Sequence, residues 1–238
     1  MSEKKAYPLK QFYSKIFKRY DLVNLVFTFG QDKRWRKLTA REVLKNNPKN
    51  VIDICCGTGK LTFLLNSQSG GEKQIMGYDF SDAMLSVANS IKERKKNINV
   101  SFTQGSVAKI PFGNNSYDAL GITFGFRNLT YNNPEEQTHI QEMVRVLKSG
   151  GRFVILESGS PSSAFIRFFF TLYLFTFLVP LGGLLTGNFK AYAYLAKSSR
   201  YFYSRKEIID LLENNGLKFE QVKKFMFGAS NLFVFIKR

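Results

Sequence analysis

Short apolar runs of strand length alternate along this chain with longer stretches whose apolar residues fall at helical spacing. The run at 51–55 (Val-Ile-Asp-Ile-Cys) reads as a buried strand, and Gly57-Thr58-Gly59 stops it before helix-compatible residues at 60–66. A second strand is predicted at 74–79, followed by a helix at 81–95 with Ser81 as its cap. Strands at 100–104 and 117–123 come next. Asn133-Pro134-Glu135-Glu136 then offers a cap, an N1 proline and an acid at N3 for a helix that Lys148-Ser149-Gly150-Gly151 should close. Residues 152–157 form the fifth strand. Ser204-Arg205-Lys206-Glu207 is a capping box, and its helix should end at Asn214-Asn215-Gly216. The strands at 218–225 and 231–236 are joined by a turn at Gly228 rather than by a helix, so the last strand should be antiparallel. The pattern predicts an α/β fold with a mostly parallel seven-stranded sheet, helices on both faces and ligands at the carboxyl ends of the strands.

Gly57-Thr58-Gly59 lies where the first strand meets its helix, so the backbone can approach a ligand closely and a helix N-terminus supplies free N–H donors. Asp79 follows 20 residues after Gly59, at the end of the second strand, where an acid can accept from both hydroxyls of a ribose. Either feature alone is an ordinary turn or helix-leading acid; together in a βαβ frame they favour a nucleotide site. The dinucleotide fingerprint fails, because Thr62 stands where its third glycine belongs.

The stretch Ile52-Asp53-Ile54-Cys55-Cys56-Gly57-Thr58-Gly59 resembles the first motif of class I methyltransferases, with Asp53 as the acid before the glycine turn. Asp79-Phe80-Ser81-Asp82-Ala83-Met84-Leu85, then Ile110-Pro111-Phe112-Gly113-Asn114-Asn115-Ser116-Tyr117-Asp118, and Thr123-Phe124-Gly125-Phe126-Arg127-Asn128 resemble the ubiquinone/menaquinone C-methyltransferase family. Tyr20-Asp21-Leu22-Val23-Asn24, Trp35-Arg36, the segment from Glu142 to Gly151, Leu156-Glu157 and Tyr192-Ala193-Tyr194-Leu195 extend the resemblance over nearly the whole chain. It implies a Rossmann-like fold and S-adenosylmethionine as cofactor. Thr58 would contact the cofactor's amino-acid end, Asp79 its ribose, Ser106 and Val107 its adenine, and Thr123 the pocket floor, with Asp53, Gly57 and Gly59 shaping the same site. Ser106-Val107 replaces the family's usual Asp or Asn followed by Ala, and Lys60 replaces a common acid, so Lys60 is expected to face solvent.

The implied reaction is methylation of a ring carbon on a polyprenyl quinol precursor, demethylmenaquinol first and a ubiquinone-precursor benzoquinol as the alternative. Such a carbon becomes nucleophilic when the neighbouring hydroxyl loses its proton. Arg127 would stabilise the resulting oxyanion and Asn128 would orient it, unless both serve only to hold their loop together. Tyr194 joins them as a candidate from a segment that closes over the site in the family, as do Tyr20 and Asp21. His139 sits at the edge of an apolar helix face set by Ile140, Met143, Val144 and Leu147, which suits a packing role better than catalysis.

One domain spans 1–238, with 1–45 as an N-terminal helical arm and 160–203 as an apolar helical insertion. Residues 168–185 hold no charge over 18 positions, the lower limit for a membrane-spanning helix. Pro180 and Gly182-Gly183 interrupt this run, and a crossing would part the last two strands from their sheet. The expectation is a broken, mobile lid over the prenyl tail, with Arg167, Lys190, Lys197 and Arg200 meeting anionic head groups; a buried core helix is the alternative.

Composition adds charge: 35 Lys and Arg against 18 Asp and Glu give +17, enough to attract anionic lipid or nucleic acid without a specific site. No nucleic-acid pocket motif or appended module is present, so a membrane surface is the expected partner; a nucleic-acid methyltransferase and a non-catalytic lipid-binding scaffold remain the rivals. Cys55 and Cys56 are adjacent, cannot form an ordinary disulfide and lack metal-ligand partners. With no apolar signal at the N-terminus, the expected place is the cytoplasm, at the inner face of the membrane, as a monomer or homo-oligomer.

Overall fold

The computed structural model describes residues 28, 30–95 and 98–238, so the first part of the expected arm at 1–45, with Tyr20, Asp21 and Asn24, lies outside the described residues. Among the described residues seven strands form one sheet: β1 (Asn50–Ile54), β2 (Gln74–Asp79), β3 (Val100–Gln104), β4 (Tyr117–Thr123), β5 (Leu147–Ser158), β6 (Leu217–Phe225) and β7 (Ser230–Lys237). Their order is β3-β2-β1-β4-β5-β7-β6, and only β7 runs against its neighbours. From β1 the chain steps outward to β2 and β3, then returns to β4 on the other side. That reversal makes the β1/β4 boundary a switch point, where a crevice opens at the carboxyl ends of the strands.

Alternation along the strands sends side chains to two cores. On one face Ile52, Ile54, Tyr78, Leu120, Ile122, Phe153 and Phe233 pack with Ile140 and Met143 of α5 (Glu136–Val146) and Ile208 and Leu212 of α9 (Arg205–Glu213). On the other Val51, Ile75, Ala119, Val154 and Val234 pack with Trp35 and Val43 of α1 (Asp32–Val43) and Leu61 and Leu65 of α2 (Lys60–Gln68). Each fully buried side chain of this size contributes roughly 1.5–3 kcal/mol, so the two cores fix the register that places the site. α3 (Asp82–Glu93) begins at Ser81, whose hydroxyl accepts from the Met84 N–H as its sequence implied. α4 (Phe126–Thr130) is a short turn of helix after β4.

Two boundaries differ from expectation. α5 starts at Glu136, later than Asn133-Pro134 suggested, because the Asn133 carboxamide accepts from the Glu135 N–H at 3.0 Å and closes a separate turn first. The same helix ends at Val146 rather than near Gly150. Leu147 is already extended and pairs with Tyr117, and residues 148–151 bulge out before Arg152 resumes the register opposite Ala119.

The apolar segment is helical throughout. α6 (Ala164–Tyr173), a π-helical turn (Leu174–Leu178) and α7 (Val179–Thr186) run without a break, and α8 (Phe189–Arg200) folds back along them. The irregularity therefore falls at the π turn, and Gly182-Gly183 does not break the helix. These glycines instead admit aromatic rings: a Cβ on Gly182 would stand 2.4 Å from Tyr192 and one on Gly183 2.2 Å from Phe189. Leu174, Leu178, Ala191, Tyr192 and Ala196 make a small core of their own. By length and composition Ala164–Thr186 could cross a membrane, and only 22% of its most apolar window is buried. Both ends are tied to one sheet, since β5 leads into this segment and β7, which follows it, pairs with β5.

Candidate functional site

At the end of β1 the chain turns through left-handed conformations at Cys55, Gly57 and Gly59 (φ 54°, 55° and 79°) to start α2. Gly59 caps that helix, and a Cβ there would press on the Phe63 and Phe102 rings at 2.9 Å. The turn is pinned from β2: Asp79 Oδ2 accepts from the Gly57 N–H at 2.8 Å and Oδ1 from the Ser81 N–H at 2.9 Å. Burial raises the Asp79 pKa, against the pull of these backbone donors. Each carboxylate oxygen still has a lone pair for a ligand hydroxyl.

Beneath the turn lies Asp53, fully buried. Its Oδ2 accepts from the Thr62 hydroxyl at 2.6 Å, while Oδ1 is buried without a hydrogen-bond partner. Desolvation pushes its pKa up to about 7, although Thr62 and the Arg36 charge work the other way. Thr62, which replaces the third glycine of a dinucleotide fingerprint, thus has a positive role as the donor that holds Asp53. Arg36 comes from α1: its guanidinium donates to Thr123 Oγ1 at the end of β4, lies 5.1 Å from the Phe124 ring and sits 3.7 Å from Asp32. Thr58 is buried in the turn, and Lys60, at the first position of α2, is partly exposed. Burial, with Asp79 and Asp53 nearby, pushes the Cys55 and Cys56 thiols well above their usual range, which leaves them protonated and unreactive.

Past β3, Ser106 is exposed and Val107 buried. The Ser106 carbonyl accepts from the Tyr78 hydroxyl at 3.0 Å and its side chain accepts from the Ala108 N–H, so Val107 offers an apolar wall and backbone groups rather than a polar side chain.

The remaining candidates gather past β4. Arg127 is buried on α4: its N–H donates to Glu157 Oε2 at 3.1 Å, its Nε stands 3.8 Å from Glu157 Oε1, and its Nη1 donates to the Ser198 hydroxyl of α8. Glu157, at the end of β5, also accepts from the Ser158 N–H and hydroxyl. The Asn128 carbonyl accepts from Asn133 Nδ2 at 3.2 Å. Tyr194 is half-buried on α8, four residues before Ser198 and so on the same helix face. His139 stands apart, with Nδ1 2.9 Å from the Leu129 carbonyl. Among the described residues no group of three His, Cys, Asp or Glu is placed to hold a metal ion.

The strand ends thus bring Asp53, the glycine turn, Asp79, Ser106 and Thr123 to one crevice, with Arg127, Asn128 and Tyr194 beyond β4. Thr62, Arg36, Glu157 and Ser198 complete the polar framework. Arg36 and Glu157 stand in the sequence within the family-like pairs Trp35-Arg36 and Leu156-Glu157, with no role signalled there, and Ser198 gives no local signal.

Solved structures with the same fold include the [4+2]-cyclase SpnF (TM-score 0.70, 14% identity, 98% of this chain and 96% of that one). A SAM-dependent methyltransferase from Aquifex aeolicus matches with a TM-score of 0.56 and 17% identity, over 79% of this chain and 81% of that one. With an orphaned buried carboxylate oxygen under the glycine turn and a second carboxylate pinned beside it, the residues fit a cationic nucleoside, and the chain is a class I S-adenosylmethionine-dependent methyltransferase. More narrowly, it belongs to the ubiE/COQ5 methyltransferase family, whose sequence pattern matches residues 1–237. It is 38% identical to a demethylmenaquinone methyltransferase of Bacillus licheniformis over 95% of each chain. A protein of the same name from Bacillus cereus is 33% identical over 100% of this chain and 98% of its own.

Proposed function

We propose that this enzyme C-methylates a reduced polyprenyl quinol, with demethylmenaquinol as its substrate, on the cytoplasmic side of a membrane. The observation that supports this most is the end-to-end similarity to demethylmenaquinone methyltransferases, at 33–38% identity. Bound S-adenosylmethionine supplies a transferable methyl group on a sulfonium. Asp79 holds the ribose hydroxyls, Thr58 and the unpartnered Oδ1 of Asp53 face the amino-acid end, Ser106 and Val107 flank the adenine, and Thr123 lies beneath. Arg127 and Asn128 supply positive charge and orientation where the quinol oxygen loses its proton, and Tyr194 covers the ring from α8. The helical segment 160–203 serves as a lid on the prenyl tail.

A second reading of Arg127 has its own support: two of its nitrogens already face Glu157 and Ser198, as expected of a loop anchor. Arg127→Ala would then lose folding stability along with activity, whereas an electrostatic role leaves melting unchanged while activity falls.

The test is transfer of labelled methyl from S-adenosylmethionine to demethylmenaquinol, to the benzoquinol precursor and to bulk RNA in parallel. Label in demethylmenaquinol, lost in Asp79→Ala, is expected. Label in the benzoquinol alone moves the enzyme to the ubiquinone branch, and label in RNA alone, or none from folded protein, sinks the quinol reading.

A further inference from the structure

The outer face of α6 carries a groove of about 380 Å3 lined by Ala164, Arg167, Phe168, Thr171, Leu172 and Phe175, with Arg200 from the end of α8. Its walls are largely apolar, and its polar groups are two guanidiniums and the Thr171 hydroxyl. Thr171 Oγ1 accepts from Arg200 Nη1 and donates to the Arg167 carbonyl at 2.7 Å, and the Arg200 guanidinium lies 5.3 Å from the Tyr201 ring. Arg200 is therefore positioned without being neutralised. No ion pair joins either arginine to a described carboxylate, and the sequence has no Asp or Glu between Glu157 and Glu207, a span holding Arg167, Lys190, Lys197, Arg200, Arg205 and Lys206. Beside the groove Phe165, Phe168 and Phe169 are 73%, 64% and 52% exposed, and Leu184 is 73% exposed farther along.

We propose that this groove binds the phosphate of an anionic phospholipid at the bilayer surface, with its acyl carbons along Phe168, Leu172 and Phe175. The proposal deepens the lid reading above and rests on the lid lying at a membrane. Two forked guanidiniums suit phosphate oxygens, and a site with no competing carboxylate leaves their charge for the ligand. Aromatic and aliphatic walls accept a lipid's first methylenes, and the groove has no carboxylate or carboxamide to accept from a base edge, which favours a membrane over nucleic acid. Because β7 returns to pair with β5, the helices lie in the interface rather than cross it, and the exposed phenylalanines enter the head-group boundary beside the bound phosphate.

The experiment is co-sedimentation of the full chain with phosphatidylcholine vesicles, with and without phosphatidylglycerol. Compared are the wild type, Arg167→Gln/Arg200→Gln, and a charge-matched control, Lys223→Gln/Lys224→Gln, on the exposed edge of β6. Phosphatidylglycerol should be needed for tight binding, and the arginine pair should lose about tenfold or more against less than about threefold for the control. Equal losses in both variants overturn the site and leave only diffuse attraction from the net charge. Binding that needs no phosphatidylglycerol, or that is seen with single-stranded RNA instead of vesicles, also overturns it. Should the double variant melt below the wild type, Arg167→Gln alone decides, since its guanidinium has no hydrogen bond or ion pair with a described residue. Methylation of a tail-less quinol, assayed on the same proteins, separates the two readings. Intact phosphatidylglycerol dependence without quinol methylation sinks the substrate assignment and supports the groove.

Discussion

Burial raises Asp53 to about 7 from an ordinary value of 3.8, so the folded protein holds a proton there that the unfolded chain releases. Between those two values the native state binds more protons, so this group's contribution to stability falls as pH rises and the full penalty applies above about 7. That penalty is on the order of 4 kcal/mol for a fully buried carboxyl. Asp53→Asn keeps an acceptor for the Thr62 hydroxyl and removes the titration. Its melting temperature should pull ahead of the wild type between pH 5 and 8, and an unchanging gap would disprove the argument. A cationic ligand favours the ionised form, so S-adenosylmethionine should bind the wild type more weakly as pH falls below about 7, with no such trend in Asp53→Asn. Asp79→Ala should weaken that binding at least tenfold by calorimetry, since it removes a charged acceptor, worth about 1.5–3 kcal/mol, and unpins the Gly57 N–H. The glycine turn and Asp79 were legible because their spacing is local to one βαβ unit. The Thr62 donor was not, because a threonine in a helix's first turn looks the same whatever faces it.

Among the elements, the α7/α8 pair depends on two glycines that admit rings. Gly182→Ala should lower stability by about 1–3 kcal/mol through overpacking against Tyr192, read as a shifted urea midpoint, and a neutral result would mean the helices separate easily. The capping box at Ser204 and Glu207 is present in full, and Ser81 caps α3 as its sequence implied, since both signals depend on side chains three residues away. The start of β5 carries no such local signal. Lys148-Ser149-Gly150-Gly151 has the composition of a helix stop, yet strand pairing of Leu147 with Tyr117, and the Lys148–Asp118 ion pair at 2.7 Å, draw it into the sheet. The glycine pair in α7 misled in the opposite sense, because packing against α8 overrides the weak helix propensity of glycine.

For the whole molecule, the side of the sheet away from the crevice is fastened by Arg152. Only 4% exposed, it donates to the Glu42 carbonyl and carboxylate at 2.9 Å and to Glu220 at 2.8 Å, tying α1 and β6 to β5. Arg152→Met should lower the unfolding free energy by about 1.5–3 kcal/mol, with Glu220→Gln costing less because that partner is more exposed. A urea denaturation series checks both, and equal effects would show that the cluster acts through packing instead. α1 in turn carries Arg36 to Thr123, so loosening this clamp should also weaken cofactor binding.

The sequence by itself determined the strand count, the single reversed strand, the glycine turn with Asp79 and the apolar segment between the fifth and sixth strands. These are set by periodicity and by residues close together along the chain, where backbone sterics and local hydrogen bonds decide. Only the tertiary structure decided that Arg127 meets Glu157 and Ser198, that Arg36 reaches Thr123, and that Arg167 and Arg200 share one groove with no acid opposite. Those partners lie 30, 71, 87 and 33 residues apart in the chain. Their meeting follows from how two hydrophobic cores stack helices on a sheet, and no local pattern records that.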